Sequence, residues 1–330
     1  MLEHGGRLLE AIRRYGIPRE QWLDLSTGIN PHPYIPPELP LSAWHRLPEP
    51  NDGLEAAATT CYDNAALLPL AGSQAAIQAL PRWFAETLST ENVACVGPLY
   101  NEHPAAWQTA GHRVAISASL DEALEIARII VLCNPNNPDG RLLDRATLLD
   151  AAARLATRGG FLIVDEAFID PHMHCSVTTA AGLSHPNLIV LRSLGKFFGL
   201  AGARVGFLFA ADEIRLGLAE LLGPWAVSHP ARVVATAALN DRAWQASAKT
   251  TLLESTARLE GMLATVGVSS GVALFRYLPC VHAVELHKYL AVRGILTRLF
   301  ENSAALRFGL PGTEPEWNRL DTALKEWKTT

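Results

Sequence analysis

Residues 188–209 read Leu188-Ile189-Val190-Leu191-Arg192-Ser193-Leu194-Gly195-Lys196-Phe197-Phe198-Gly199-Leu200-Ala201-Gly202-Ala203-Arg204-Val205-Gly206-Phe207-Leu208-Phe209. An aliphatic run, Leu188–Leu191, ends in a polar turn that carries one lysine. A second apolar run, Val205–Phe209, begins directly after an arginine. Runs this short, rich in β-branched residues and bounded by Gly and Ser, read as buried strands. Similar runs lie upstream at Val93–Val96, Val114–Ile116, Ile129–Cys133 and Phe161–Val164. Between them, Gln74–Glu86, Leu120–Ala127 and Asp144–Thr157 have helical spacing. Apolar strands alternating with helices imply an α/β fold: a mostly parallel sheet sandwiched by helices.

The flanks read differently. Leu8–Tyr15 has helical spacing, and residues 28–50 are rich in Pro and Gly, too long for a simple turn. A helical region spans Arg232–Ala264, with a break near Asn240. After Gly271 the pattern predicts a strand (Val272–Tyr277), a helix (Val281–Val292), strands at Ile295–Arg298 and Ala305–Phe308, and a helix over Glu314–Lys328. The expected organisation is an N-terminal arm with part of a small domain (1–50), a large domain (51–240) and a C-terminal α+β small domain (241–330).

The 330 residues are 49% hydrophobic, enough for a sizeable core. The net charge is −5 and no Lys/Arg block stands out, so neither nucleic acid nor an anionic membrane is an expected partner. No apolar run is long enough to span a bilayer, and the N-terminus has no basic region followed by an apolar stretch. Five widely spaced cysteines without a CxxC fit a reducing compartment, so a cytoplasmic protein is expected.

In open α/β sheets, ligands sit beyond the carboxyl ends of the strands. Asn134-Pro135-Asn136-Asn137-Pro138-Asp139-Gly140 follows the run at 129–133. Asp165-Glu166-Ala167-Phe168 follows 161–164, and Ser193-Leu194-Gly195-Lys196 follows 188–191. Three successive strand ends thus offer an amide, a carboxylate and an amine, with Arg204 close behind. Singly, each has a plainer meaning: a turn, a helix cap or ATPase-like acidic pair, a solvated surface charge. No G-x-x-x-x-G-K-[ST] loop exists, which weakens the ATPase reading. His172-Met173-His174-Cys175 has short spacing and no second ligand cluster, so it reads as a polar loop and no metal is expected. Tryptophans such as Trp83, Trp107 and Trp225 read as core or interface anchors.

Together these segments resemble the fold-type I enzymes of pyridoxal 5′-phosphate (PLP), the aspartate aminotransferase superfamily. They resemble in particular the branch that holds histidinol-phosphate aminotransferases and threonine-phosphate decarboxylases. His4-Gly5-Gly6 and Leu23-Asp24-Leu25-Ser26-Thr27-Gly28-Ile29-Asn30-Pro31 resemble the decarboxylases. The resemblance implies that Lys196 links covalently to PLP, Asp165 pairs with the ring nitrogen and Asn137 bonds the ring 3′-oxygen. It implies that Arg204, Ser193 and the amides of Ser73 and Gln74 hold the cofactor phosphate, at a helix N-terminus that favours an anion. Either His103 or Tyr100 stacks on the ring, with His103 favoured by register. Arg307 matches the clamp on the substrate carboxylate. Arg298, with His4, Gly28 and Asn30, matches the grip on a substrate phosphate. Three positions depart from the pattern: Phe168 and Leu47 stand where relatives have tyrosine, and Gly195 where they have serine.

The activity implied is decarboxylation of L-threonine O-3-phosphate in cobalamin synthesis, by a homodimer acting on a small phosphorylated amino acid. The alternative is an aminotransferase, such as one for histidinol phosphate. A PLP-binding regulator without turnover is disfavoured, because the chain has no basic helix-turn-helix at its N-terminus.

Overall fold

The structure is a computed structural model that describes residues 5–327. The chain divides into two compact units. The larger comprises residues 34–137 and 142–246; the smaller comprises residues 1–33, 138–141 and 247–330. The chain therefore changes unit at 33/34, 137/138, 141/142 and 246/247, where the sequence suggested boundaries at 50/51 and 240/241.

The larger unit is built on seven strands in the order Leu67–Leu70, Gly206–Phe209, Leu188–Ser193, Phe161–Asp165, Ile129–Cys133, Asn92–Val96, Arg113–Ser117. The last five run parallel, while Gly206–Phe209 is antiparallel to both of its neighbours. The central strands are buried along almost their whole length, as expected where helices cover both faces. Helices Ser73–Leu88, Leu120–Ile126 and Arg145–Ala156 are the expected crossovers. Ser119 and Asp144 cap the last two by accepting from the amides of Glu122 and Thr147. Leu54–Tyr62, Glu102–Thr109 and Asp212–Leu222 are further helices that the apolar spacing did not announce. Trp83 and Trp107 are core residues, whereas Trp225 is exposed. Residues 34–50 leave Ile35, Leu41, Trp44 and Leu47 largely exposed.

In the smaller unit the order is Arg298–Phe300, Ala305–Phe308, Phe275–Pro279, Ser270–Val272, all antiparallel. A separate parallel pair joins Leu23–Asp24 to Ile295–Leu296. Two single strands of the sequence reading are therefore each two. Val272–Tyr277 folds back at Ala273-Leu274, a turn without the Gly or Asn that normally marks one. Ile295–Arg298 changes sheets at Thr297, whose buried hydroxyl meets His287 Nδ1 at 2.8 Å. The helical stretch breaks as expected, into His229–Asn240 and Arg242–Leu263. Among the described residues no helix is long and apolar enough to cross a membrane.

Candidate active site

Strand alternation turns Asp165 and Glu166 to opposite faces at the end of their strand. Asp165 is buried, and its Oδ2 lies 2.9 Å from Nε2 of the equally buried His103. Its Oδ1 accepts from the Ala167 amide at 3.1 Å. In register beside Asp165 stands Cys133, the last residue of the neighbouring strand. The ligating atoms of His103, Cys133 and Asp165 all lie within 4.8 Å of one another, which is close enough for a metal. Burial and the adjacent Asp165 push the Cys133 thiol well above its ordinary range.

Tyr100 stands edge-on to His103, with ring centroids 6.2 Å apart, and its hydroxyl is 3.5 Å from Gln74 Oε1. Burial and the charges of Glu102 and Asp165 push that hydroxyl up to about 12, so it remains a neutral donor. Gln74 Nε2 donates to Glu102 at 2.7 Å. Asn136 Nδ2 donates to the Pro98 carbonyl at 2.7 Å, tying the loop of Asn137 to the loop of Tyr100.

No side chain caps the Ser73–Leu88 helix at its start. Gly72 precedes it at φ +77°, and a Cβ there would lie 2.8 Å from Arg204 Nη2. A helix N-terminus with a guanidinium beside it, entered through a left-handed glycine, fits a phosphate. Ser193 Oγ accepts from the Gly195 amide at 3.2 Å, and Lys196 Nζ lies 5.6 Å from the centre of the buried Phe168 ring. A buried acid for a ring nitrogen, a lysine and a phosphate cradle fit PLP by the chemistry of the donors present.

On the face opposite Asp165, Glu166 accepts from the Val177 amide (2.7 Å) and from the Ser176 (2.6 Å) and Thr178 (2.7 Å) hydroxyls. Arg192, fully buried one residue before Ser193, reaches Glu166 at 3.3 Å and Asp170 at 2.5 Å. Its guanidinium also lies 4.5 Å over the Tyr62 ring. Burial pushes both carboxyls up and Arg192 draws them back, so each stays above its ordinary range.

In the smaller unit, Arg298 and Arg307 are register partners on adjacent antiparallel strands, and Tyr277 is the next partner in that row. Phe300 and Phe275 lie under the two guanidinium groups, at 5.3 and 5.1 Å. Arg307 Nη2 donates to the Ser26 carbonyl at 3.2 Å. A Cβ on Gly5 would sit 2.3 Å from that same carbonyl oxygen, so only glycine fits there. Gly28 and Asn30 are buried in the following loop, where Asn30 Oδ1 accepts from the His32 amide at 2.9 Å. His4 lies outside the described residues.

The family model described as aminotransferase class I and II matches residues 52–320. The chain belongs to the aminotransferase class I and II family. It is 51% identical to the threonine-phosphate decarboxylase of Pseudomonas aeruginosa, over 99% of this chain and 98% of that protein. It is 41% identical to that of Sinorhizobium sp, over 97% of each. Among solved structures, the histidinol-phosphate aminotransferase of Sinorhizobium meliloti in complex with pyridoxal-5′-phosphate matches with a TM-score of 0.79 at 18% identity, covering 99% of this chain and 98% of that one. The L-threonine-O-3-phosphate decarboxylase of Porphyromonas gingivalis matches with a TM-score of 0.75 at 21% identity, covering 86% and 91%. For this member of the aminotransferase class I and II family, the larger unit gathers Asp165, His103, Tyr100 and Gln74 in one cluster. It brings Ser73 and Arg204 to a second, at the helix start. His103, one of the two candidates for the ring face, directs its Nε2 to Asp165. Sequence reasoning missed Cys133 and the Glu166–Arg192 network. Cys133 meets Asp165 only across the sheet, and Glu166 meets Arg192 only across strand ends, so neither contact had a local signal.

Proposed function

We propose that this chain decarboxylates L-threonine O-3-phosphate with PLP, releasing CO₂ and (R)-1-amino-2-propanol O-2-phosphate for the nucleotide loop of cobalamin. The observation that carries the reading is the 51% identity to a threonine-phosphate decarboxylase along nearly the whole of both chains. The aminotransferase reading rests on more distant relatives, such as a histidinol-phosphate aminotransferase 36% identical over 51% of this chain.

When bound, PLP supplies an electron sink for the charge left at Cα. The protein's part is binding, orientation and proton handling. Asp165, held by His103, keeps the proton on the ring nitrogen, because an opposite charge nearby favours the charged form. Lys196 would hold the cofactor, and its amine, when free, would be placed to move a proton at Cα. Tyr100 covers the ring face, a role supported by the engagement of His103 with Asp165. Asn137 bonds the 3′-oxygen. Arg204, Ser193 and the amides of Ser73 and Gln74 take the cofactor phosphate.

Arg307 holds the substrate carboxylate, while Arg298 with His4, Gly28 and Asn30 takes the substrate phosphate. Two fixed anions orient Cα, and orientation decides which of its bonds breaks. The exposed Ile35, Leu41, Trp44 and Leu47 support a homodimer. A cytoplasmic location fits the five free cysteines.

The test is incubation of the PLP-loaded protein with threonine phosphate, with and without an α-keto acid. Release of CO₂ and the amino alcohol phosphate without the keto acid is the expected result. No CO₂, with an amino product formed from the keto acid, would overturn the reading in favour of an aminotransferase.

A further inference from the structure

We propose that Trp244 is a positioning residue for Lys196, acting through the two phenylalanines that follow the lysine. The inference rests on the reading of Lys196 as the residue that holds the cofactor. A lysine side chain is a flexible four-carbon stem, so its backbone and nearest packing decide where Nζ dwells. Lys196 opens a tight turn: the Gly199 amide donates to the Lys196 carbonyl, and the Leu200 amide to that of Leu194, both at 3.2 Å. Phe197 and Phe198 are buried directly behind it. Both pack on one indole. Phe198 lies nearly parallel to Trp244 (5.6 Å, 15°), and Phe197 meets it edge-on (5.6 Å, 70°).

Tyr34 closes the other side. Its ring stands perpendicular to Trp244 at 5.4 Å, and its amide donates to the Phe198 carbonyl at 2.9 Å. Trp244 is itself anchored, because its amide donates to Asp241 Oδ1 at 2.9 Å. Gln245 Nε2 next door donates to the carbonyls of Ala238 and Leu239, both at 3.0 Å. Stacked and edge-on ring pairs fix relative angles as well as volume. A segment 48 residues downstream thus sets the orientation of the Lys196 turn through Phe197 and Phe198 (244 − 196 = 48).

The test uses the full chain reconstituted with PLP, as wild type, Trp244→Ala, Trp244→Phe and Lys196→Ala. Three quantities are read: kcat and KM for threonine phosphate, circular dichroism of the cofactor band (roughly 410–430 nm for a lysine-linked cofactor), and melting temperature. Misplacing a reacting group by about 1 Å can cost on the order of 10²-fold in rate. Trp244→Ala is therefore expected to lose kcat by about 10- to 100-fold at near-unchanged KM, with a weakened dichroic band. Trp244→Phe, which keeps a ring, is expected to recover most of both. A Trp244→Ala protein with wild-type kcat and dichroism overturns the inference, as does one rescued in melting temperature by Phe but not in kcat. If Trp244→Ala does not fold, Trp244→Leu against Trp244→Phe makes the same comparison of filled volume with oriented ring. A cofactor band that persists in Lys196→Ala overturns the lysine assignment instead, and is distinguishable because it needs no Trp244 variant.

Discussion

Around Asp165 and Glu166, in the larger unit, negative charge is met by donors the protein supplies itself: His103, the Ala167 and Val177 amides, two hydroxyls and Arg192. In the smaller unit, two positive charges face each other across a ladder, Arg298 opposite Arg307, framed by Phe275 and Phe300. Like charges directly opposite weaken a strand pair, and a bound anion relieves the cost. The first arrangement surrounds carboxylates with donors; the second sets two guanidinium groups side by side, chemistry that suits an anion that comes and goes.

The comparison breaks most visibly at Arg192. Arg192→Met leaves Glu166 and Asp170 buried without their cation and is expected to cost about 3–5 kcal/mol of stability by denaturant unfolding. Both carboxyls sit above their ordinary range. Folding therefore favours their protonated forms, and their contribution declines as pH rises through the raised values. The Arg192→Met loss should accordingly be larger at pH 8 than at pH 5; an equal loss at both would mean the carboxyls do not sense Arg192.

Asp165→Asn comes next, removing the charge proposed to favour the ring proton. It is expected to lower kcat by about 10²–10³-fold, near 2.7–4.1 kcal/mol, while stability changes little. Steady-state kinetics beside a melting curve checks it. Arg307→Gln should act on the transient side, lowering kcat/KM for threonine phosphate by about 10²-fold with cofactor retention unchanged. Loss of PLP on gel filtration would mean the division between the two clusters is wrong.

The smallest effect concerns Asp52, which is remote from both clusters. Burial opposes its ionisation, but hydrogen bonds from Arg232 and the Leu54 amide and the charges of Arg232 and His229 outweigh it, so its pKa is lowered. The stability it contributes is present above the ordinary carboxylate pKa and lost as pH falls through the lowered one. Asp52→Asn should therefore cost no more than about 1 kcal/mol at pH 7, solvent screening included, and converge with the wild type once pH falls below the lowered pKa.

The unequal legibility of the two regions has a physical cause. The larger unit announced itself because strands buried on both faces are continuous apolar runs, and their ends carry Asn137, Asp165 and Lys196 at regular intervals. The smaller unit hid two strand breaks because Ala273-Leu274 and Thr297 carry no turn signal, and strands that short have little periodicity to read. The role of His103 was hidden for another reason. A histidine in a helix can present its ring to a cofactor or to a neighbouring acid, and only the fold brings its Nε2 within 2.9 Å of Asp165. The Glu166–Arg192 pair joins residues 26 positions apart on adjacent strand ends, a contact that no local pattern encodes.

Borohydride reduction of the PLP-loaded chain, followed by peptide mass analysis, tests the central claim most directly, since it marks the lysine that holds the cofactor. The chain has five lysines: Lys196, Lys249, Lys288, Lys325 and Lys328. The account predicts the added mass on the peptide containing Lys196 alone; stable labelling of any of the other four, with Lys196 unmodified, would contradict it.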